Sequence, residues 1–157
     1  MIEVAPNLHV GSQADYEGST FGSDWRFLLA AKYPWHRDAL GYTTPAAPRD
    51  HHEYLFCYRD GNLILNMIDA DNPKFVPEPL VDEAIRFLRE RTGPTLVACN
   101  QGLSRSATLA FLALAPTLHE DFLTAEEQFN QLYPAYSPAK GVRGYAQAHW
   151  ERYHAAA

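Results

Sequence analysis

The sequence has few cysteines, no block of basic residues and no long apolar run, and each shortage excludes something. Two cysteines, Cys57 and Cys99, cannot build a disulfide framework, so the fold must rest on a packed core. No uninterrupted apolar stretch approaches the roughly 18 residues of a membrane-spanning helix. Lys and Arg never cluster and the formal net charge is −6, which argues against duplex nucleic acid or an anionic membrane as the main partner. The start, Met1-Ile2-Glu3-Val4, lacks the basic region and apolar core of an export signal, and a reducing cytoplasm is the expected location. No Ser/Gly-rich linker, internal repeat or low-complexity tract divides the chain. A single domain over residues 1–157 is therefore expected, with 46% apolar residues available for its core.

What is present reads as alternating strands and helices. Ile2 to Ser12 makes two short strands around a Pro6-Asn7 turn, and the polar run Gln13 to Asp24 reads as loop. Trp25, Phe27 and Leu29 alternate and predict a strand. Residues 32–53 hold Pro34, Pro45 and Pro48 among aromatics, too long for a plain connection, and predict either an ordered loop over the functional site or a packed surface excursion whose aromatics cover the core edge. Lys32, His36, Arg37 and Arg49 in that loop are expected to form a cationic rim. Tyr54–Tyr58 and Leu63–Met67 pair as strands around Asp60-Gly61, and an acidic connection holding Asp69 and Asp71 follows. Leu80, Val81, Ala84, Ile85 and Leu88 mark a helix over 79–91, capped by Gly93. An apolar helix from Ala107 to Leu114 closes at Pro116, and Thr124-Ala-Glu-Glu127 starts another through Leu132. Val142 to His154 reads as a last helix, with Tyr145, Ala148, Trp150 and Tyr153 inward. The adjacent His51 and His52 are expected to face opposite ways on an extended chain, so no metal site is expected there.

The chemistry concentrates between Leu96 and Ser106. A short buried strand, Thr95 to Ala98, empties into a Gly-containing turn that runs straight into the helix starting near Ala107. Successive N–H groups in such a turn can converge on one anion, aided by the positive end of the following helix. Arg105 adds a planar fork that matches two phosphate oxygens. Cys99, among N–H dipoles and a guanidinium, is set where thiolate is favoured over thiol.

The spacing Cys99-x5-Arg105-Ser106 after a strand resembles the phosphate-binding signature of cysteine-based protein tyrosine phosphatases, and Asn100-Gln-Gly-Leu-Ser-Arg-Ser106 is closest to the dual-specificity branch. Leu8-His-Val-Gly-Ser-Gln13 looks like the opening strand of that branch. The resemblance implies an α/β domain whose central, mixed, mostly parallel sheet is flanked by helices. It makes Cys99 the nucleophile, Arg105 the clamp, and Asn100, Gln101, Gly102, Leu103, Ser104, Arg105 and Ser106 the phosphate-binding loop, with no cofactor and no metal. Laying Glu83–Leu88 on the corresponding helix without gaps puts the general acid at Asp71, with Asp69 the alternative. The expected activity is hydrolysis of phosphate monoesters on protein Tyr, Ser or Thr, or on small molecules, through a cysteinyl-phosphate. Neutral Asn100, Gln101 and Leu103, in place of the extra loop lysines of phosphoinositide phosphatases, favour such substrates over lipids. The signature departs from the family in one place, because Ala98 stands where a histidine usually precedes the cysteine. That substitution keeps open a weakly active or inactive phosphate-binding module, and an anion-binding cysteine loop also keeps open a sulfurtransferase. Cys57 is either a buried strand residue or a redox partner for Cys99.

Overall fold

Asp60 and Gly61 both take positive φ, 54° and 79°, and so reverse the chain in two residues. They join β4 (Phe56–Arg59) to β5 (Asn62–Leu65) in antiparallel register, Phe56 opposite Leu65. At the other edge β1 (Ile2–Ala5) and β2 (Leu8–Ser12) pair antiparallel through a turn with Asn7 at φ 64°. Between these hairpins lie β3 (Arg26–Leu29) and β6 (Thr95–Cys99), each parallel to its neighbours. The resulting six-stranded sheet has the order β1-β2-β6-β3-β5-β4. The structure is a computed structural model and describes residues 1–155. The expected α/β architecture, a mixed and mostly parallel sheet flanked by helices, is the one observed.

Parallel strands need both faces covered, and the alternation along β6 serves both. Val97 and Cys99 face the larger layer, built by α3 (Glu78–Arg89), α4 (Arg105–Ala113), α5 (Phe122–Leu132), α6 (Lys140–Ala148) and α7 (Trp150–Ala155). Leu96 and Ala98 face a smaller cluster with Leu29, Ile64 and Trp35. Phe111 of α4 anchors the larger layer, fully buried and stacked on Trp150 with centroids 4.8 Å apart. Burying a ring of this size contributes about 3 kcal/mol. The central position of β6 thus delivers Cys99 to the carboxyl edge of the sheet, where a loop can form a site.

Local chemistry accounts for the departures from expectation. Gln13–Gly18 is a helix, α1, because Ser12 and Asp15 cap each other's backbone N–H groups at 2.9 and 3.1 Å. The 32–53 segment contains a wide turn at Lys32–His36 and a short helix, α2 (Arg37–Leu40). Helix α3 ends at Arg89 with Glu90 as its cap, so Gly93 plays no capping part. Helix α5 starts earlier than Thr124, because the Asp121 carboxylate accepts from Thr124 N at 3.0 Å. The final helix breaks at His149; Tyr145, Trp150 and Tyr153 are inward as expected, but Ala148 is exposed and Ala146 is buried. His51 and His52 lie in a turn and stack ring on ring at 4.7 Å instead of facing apart. No helix among the described residues is long and apolar enough to cross a membrane.

Candidate active site

Cys99 closes β6 with only 2% of its surface exposed. Its Sγ lies 3.2 Å from Ser106 Oγ at the start of α4, and that hydroxyl is also 3.2 Å from the carbonyl of Gly11. A hydroxyl has one hydrogen to give. With a protonated thiol, S–H donates to Oγ and the Ser106 hydrogen goes to Gly11. With a thiolate, the same hydrogen turns to the sulfur. Ser106 is thereby placed to answer a change in charge on Cys99.

The turn between Cys99 and Arg105 has its carbonyls held from outside. Gln13 N donates to Asn100 O at 3.3 Å, Tyr133 OH to Gly102 O at 2.6 Å and Ser137 N to Leu103 O at 2.8 Å. The Ser104 hydroxyl accepts from Ala139 N at 2.8 Å. Among the described residues, the N–H groups from Gln101 to Ser104 have no protein acceptor. Gly102 sits at φ 75°, and a Cβ there would come within 2.9 Å of the Gly11 backbone, so the tight turn requires glycine. Free N–H donors beside a helix N-terminus form an anion site without further ligands.

The Arg105 side chain closes the same hollow, a pocket of about 540 Å³. Nη1 donates to Met67 O at 3.1 Å and Nη2 to Asn100 Oδ1 at 2.6 Å, while Nε lies 4.0 Å from Asp69 Oδ1. A guanidinium carries five N–H groups, so these two bonds fix its plane and leave donors for an anion. Asp69 lines this pocket and Asp71 does not. The cause lies at the intervening Ala70, which is buried and accepts from Gly141 N at 3.0 Å. A Cβ on Gly141 would come within 2.6 Å of Ala70 O, so only glycine lets α6 clamp the chain there. With Ala70 pinned inward, Asp69 is left on the Arg105 side and Asp71 in the exposed turn before Pro73. The gapless alignment that selected Asp71 could not see this clamp.

No family model and no curated sequence matches the chain. Its fold, however, superposes on solved structures along almost the whole length. The crystal structure of DUSP15 matches with TM-score 0.58 at 18% identity, over 96% of this chain and 86% of that one. Human DUSP28 matches with TM-score 0.56 at 20% identity, over 97% and 96%. The Cydia pomonella PTP-2 phosphatase matches with TM-score 0.56 at 16% identity, over 94% and 88%. The chain has the dual-specificity phosphatase fold.

On that fold Ala98 is fully buried on the sheet face opposite Cys99, in the cluster with Trp35 and Leu29. The turn between Cys99 and Arg105 is instead tied down by Asn100, a bridging part that sequence reasoning did not assign to its side chain. Its amide accepts from Arg105 and donates to Gln13 Oε1 and to Tyr33 O, each at 3.0 Å, which joins loop, α1 and the 32–36 turn. The clamping residues Tyr133, Ser137, Ala139 and Gly141 were also not foreseen. Pro134 and Pro138 mark a turn in that stretch, but they do not say what it packs against.

The expected cationic rim is not found at this site, because no residue of 32–53 lines the pocket that holds Cys99 and Arg105. His36 is fully buried, its ring nitrogens bonded to Tyr42 OH at 3.0 Å and Glu53 O at 2.9 Å, and burial holds its imidazole below the ordinary histidine pKa. It is a neutral tie inside the segment rather than a surface cation. Cys57 lies on β4, three strand spacings from β6 and so about 14 Å away, too far for a disulfide with Cys99 without dismantling the sheet. Burial raises the Cys57 thiol pKa, which makes it inert.

Proposed function

We propose that the chain, as one catalytic domain, hydrolyses phosphate monoesters of phosphoproteins through a cysteinyl-phosphate on Cys99. The observation that carries this reading is the set of N–H groups from Gln101 to Ser104, without a protein acceptor among the described residues, in the turn between Cys99 and the Arg105 fork. Asn100 to Ser106 hold the phosphoryl oxygens, and in-line attack by the Cys99 thiolate forms an S–P bond as the P–O bond to the alcohol or phenol breaks. Asp69, at the pocket wall, gives its proton to the leaving oxygen. Water then attacks phosphorus, Asp69 takes its proton, the S–P bond breaks, and the Ser106 hydroxyl donates to the departing thiolate. Inorganic phosphate and free Cys99 remain. No cofactor enters these steps. A nucleophilic thiol must stay reduced, which supports the cytoplasm as the location.

The buried Ala98 supports a second reading, a phosphate-binding module that does not turn over. Cys99→Ser separates the two. Turnover of an aryl phosphate by the wild type that is lost in this variant, with binding of inorganic phosphate kept in both, supports the hydrolase. Phosphate binding without turnover by the wild type supports the binding module, and full activity in Cys99→Ser rejects the mechanism.

A further inference from the structure

The extended segment Met67 to Asp69 separates two depressions. Asp69 faces the phosphate pocket, while the preceding residue, Ile68, faces a groove of about 270 Å³ on the other side. Its lining combines the apolar Ala47, Leu55 and Phe75 with Lys32 and Lys74. Ile68 and Phe75, 42% and 52% exposed, both line this groove and so present apolar surface together. The Met67 carbonyl joins the two depressions, accepting from Lys32 N at 2.9 Å and from Arg105 Nη1 at 3.1 Å. Ile68 follows Met67 directly, so the groove lies within reach of about one or two extended residues, at roughly 3.4 Å each, from an anion held on Arg105.

The charge of the groove runs against that of the molecule. The chain has three lysines and a net charge of −6, yet two of those lysines line this one groove. Among the described residues neither takes part in an ion pair: Lys32 Nζ donates to Pro45 O at 2.8 Å, and Lys74 Nζ lies 5.0 Å over the Phe75 ring. Beyond Ser137 and Pro138, on another side of the phosphate pocket, a depression is lined by Glu126 and Glu127. Glu126 is neutralised by Arg143 at 2.8 Å, whereas Glu127 has no cationic partner among the described residues. Among the described residues, the pocket thus has two lysines without an ion pair on one flank and a glutamate without one on another.

We infer that the groove between Ile68, Phe75, Lys32 and Lys74 is the subsite for the residues next to the phosphorylated one, and that it selects a peptide carrying an acidic residue beside an apolar one. This rests on the phosphatase reading above. The apolar lining takes the apolar side chain, and the two ammonium groups take the carboxylate. The acidic flank rejects the same peptide in the reverse placement, so the charge pattern also sets direction.

The test compares kcat/KM for phenyl phosphate and for short phosphotyrosine peptides bearing Asp-Leu before the phosphotyrosine, Asp-Leu after it, or Ala throughout. One of the two Asp-Leu peptides is expected to exceed the Ala peptide by about fivefold, the size of two partly exposed ion pairs, and the excess shrinks with added salt. In the double variant Lys32→Ala/Lys74→Ala that ratio falls to near one; the Lys32 backbone bond to Met67 is untouched by the change. Equal rates on all three peptides, or a preference that survives in the double variant, overturn the subsite. Absence of turnover on phenyl phosphate overturns the hydrolase reading itself, and the subsite with it.

Discussion

Asp69→Asn and Asp71→Asn, two residues apart, separate the acid assigned by geometry from the one expected from alignment. Asp69 lines the pocket that holds Cys99 and Arg105, with its carboxylate 4.0 Å from Arg105, and Asp71 does not line it. A positioned general acid is worth roughly 10² to 10⁴ in rate, or about 2.7–5.5 kcal/mol of barrier. The Asp69–Arg105 pair itself contributes little to stability, about 0.5 kcal/mol for a carboxylate that is 44% exposed. Asp69→Asn is therefore expected to keep its thermal midpoint within about 2 °C of the wild type while losing at least about a hundredfold in kcat/KM on phenyl phosphate. The loss shrinks on p-nitrophenyl phosphate, because a more acidic phenol leaves without a proton. Asp71→Asn stays within about twofold throughout, as a surface change away from the pocket does. Steady-state rates with both esters and a thermal melt read all of this. A larger loss at Asp71 than at Asp69, or a loss at Asp69 independent of the leaving group, refutes the assignment.

Further expectations follow from the same geometry. Gly102→Ala forces a left-handed φ of 75° on alanine and pushes its Cβ within 2.9 Å of Gly11. The loop must open, and phosphate affinity measured by calorimetry is expected to fall at least about tenfold, the worth of one lost charge-assisted hydrogen bond. Phe111→Ala empties the centre of the larger core layer between Trp150 and Phe129 and is expected to cost about 3–5 kcal/mol in urea unfolding. His36 supplies a pH dependence. Burial depresses its folded pKa below the unfolded value of about 6.5, and Tyr42, Glu53, His51 and Arg59 surround it. Between those two pKa values the unfolded chain holds the extra proton, so stability is fully present above about pH 6.5 and is lost as pH falls toward the folded pKa. Urea melts at pH 7.5 and 5.5 should show this slope, and His36→Gln should flatten it.

The legible parts of this molecule were those written in local patterns. The Asp60-Gly61 turn, the helical spacing of Leu80 to Leu88 and the strand-turn-helix around Cys99 carry their structure in a few adjacent residues. The Ser12 cap was also local, but its partner is Asp15 rather than the usual Glu, and the polar run after it hid the helix. Contacts across the fold were not legible. Nothing near Ala70 in sequence tells that Gly141, some seventy positions later, will pin it and so leave Asp69 at the pocket and Asp71 outside it. His36 carried the composition of a surface rim residue, and only the return of Tyr42 and Glu53 made it a buried tie. Ala98 was legible as a departure, while the Asn100 bridge to Gln13 and Tyr33 that holds the same loop was not.

The most direct measurement is acid quench of the wild-type protein during turnover of an aryl phosphate, followed by mass spectrometry of the peptide containing Cys99. A phosphoryl group on Cys99 that forms and decays at rates able to carry turnover, and that is missing in Cys99→Ser, is the predicted result. Sustained phosphate release with Cys99 unmodified at every quench time would contradict the account.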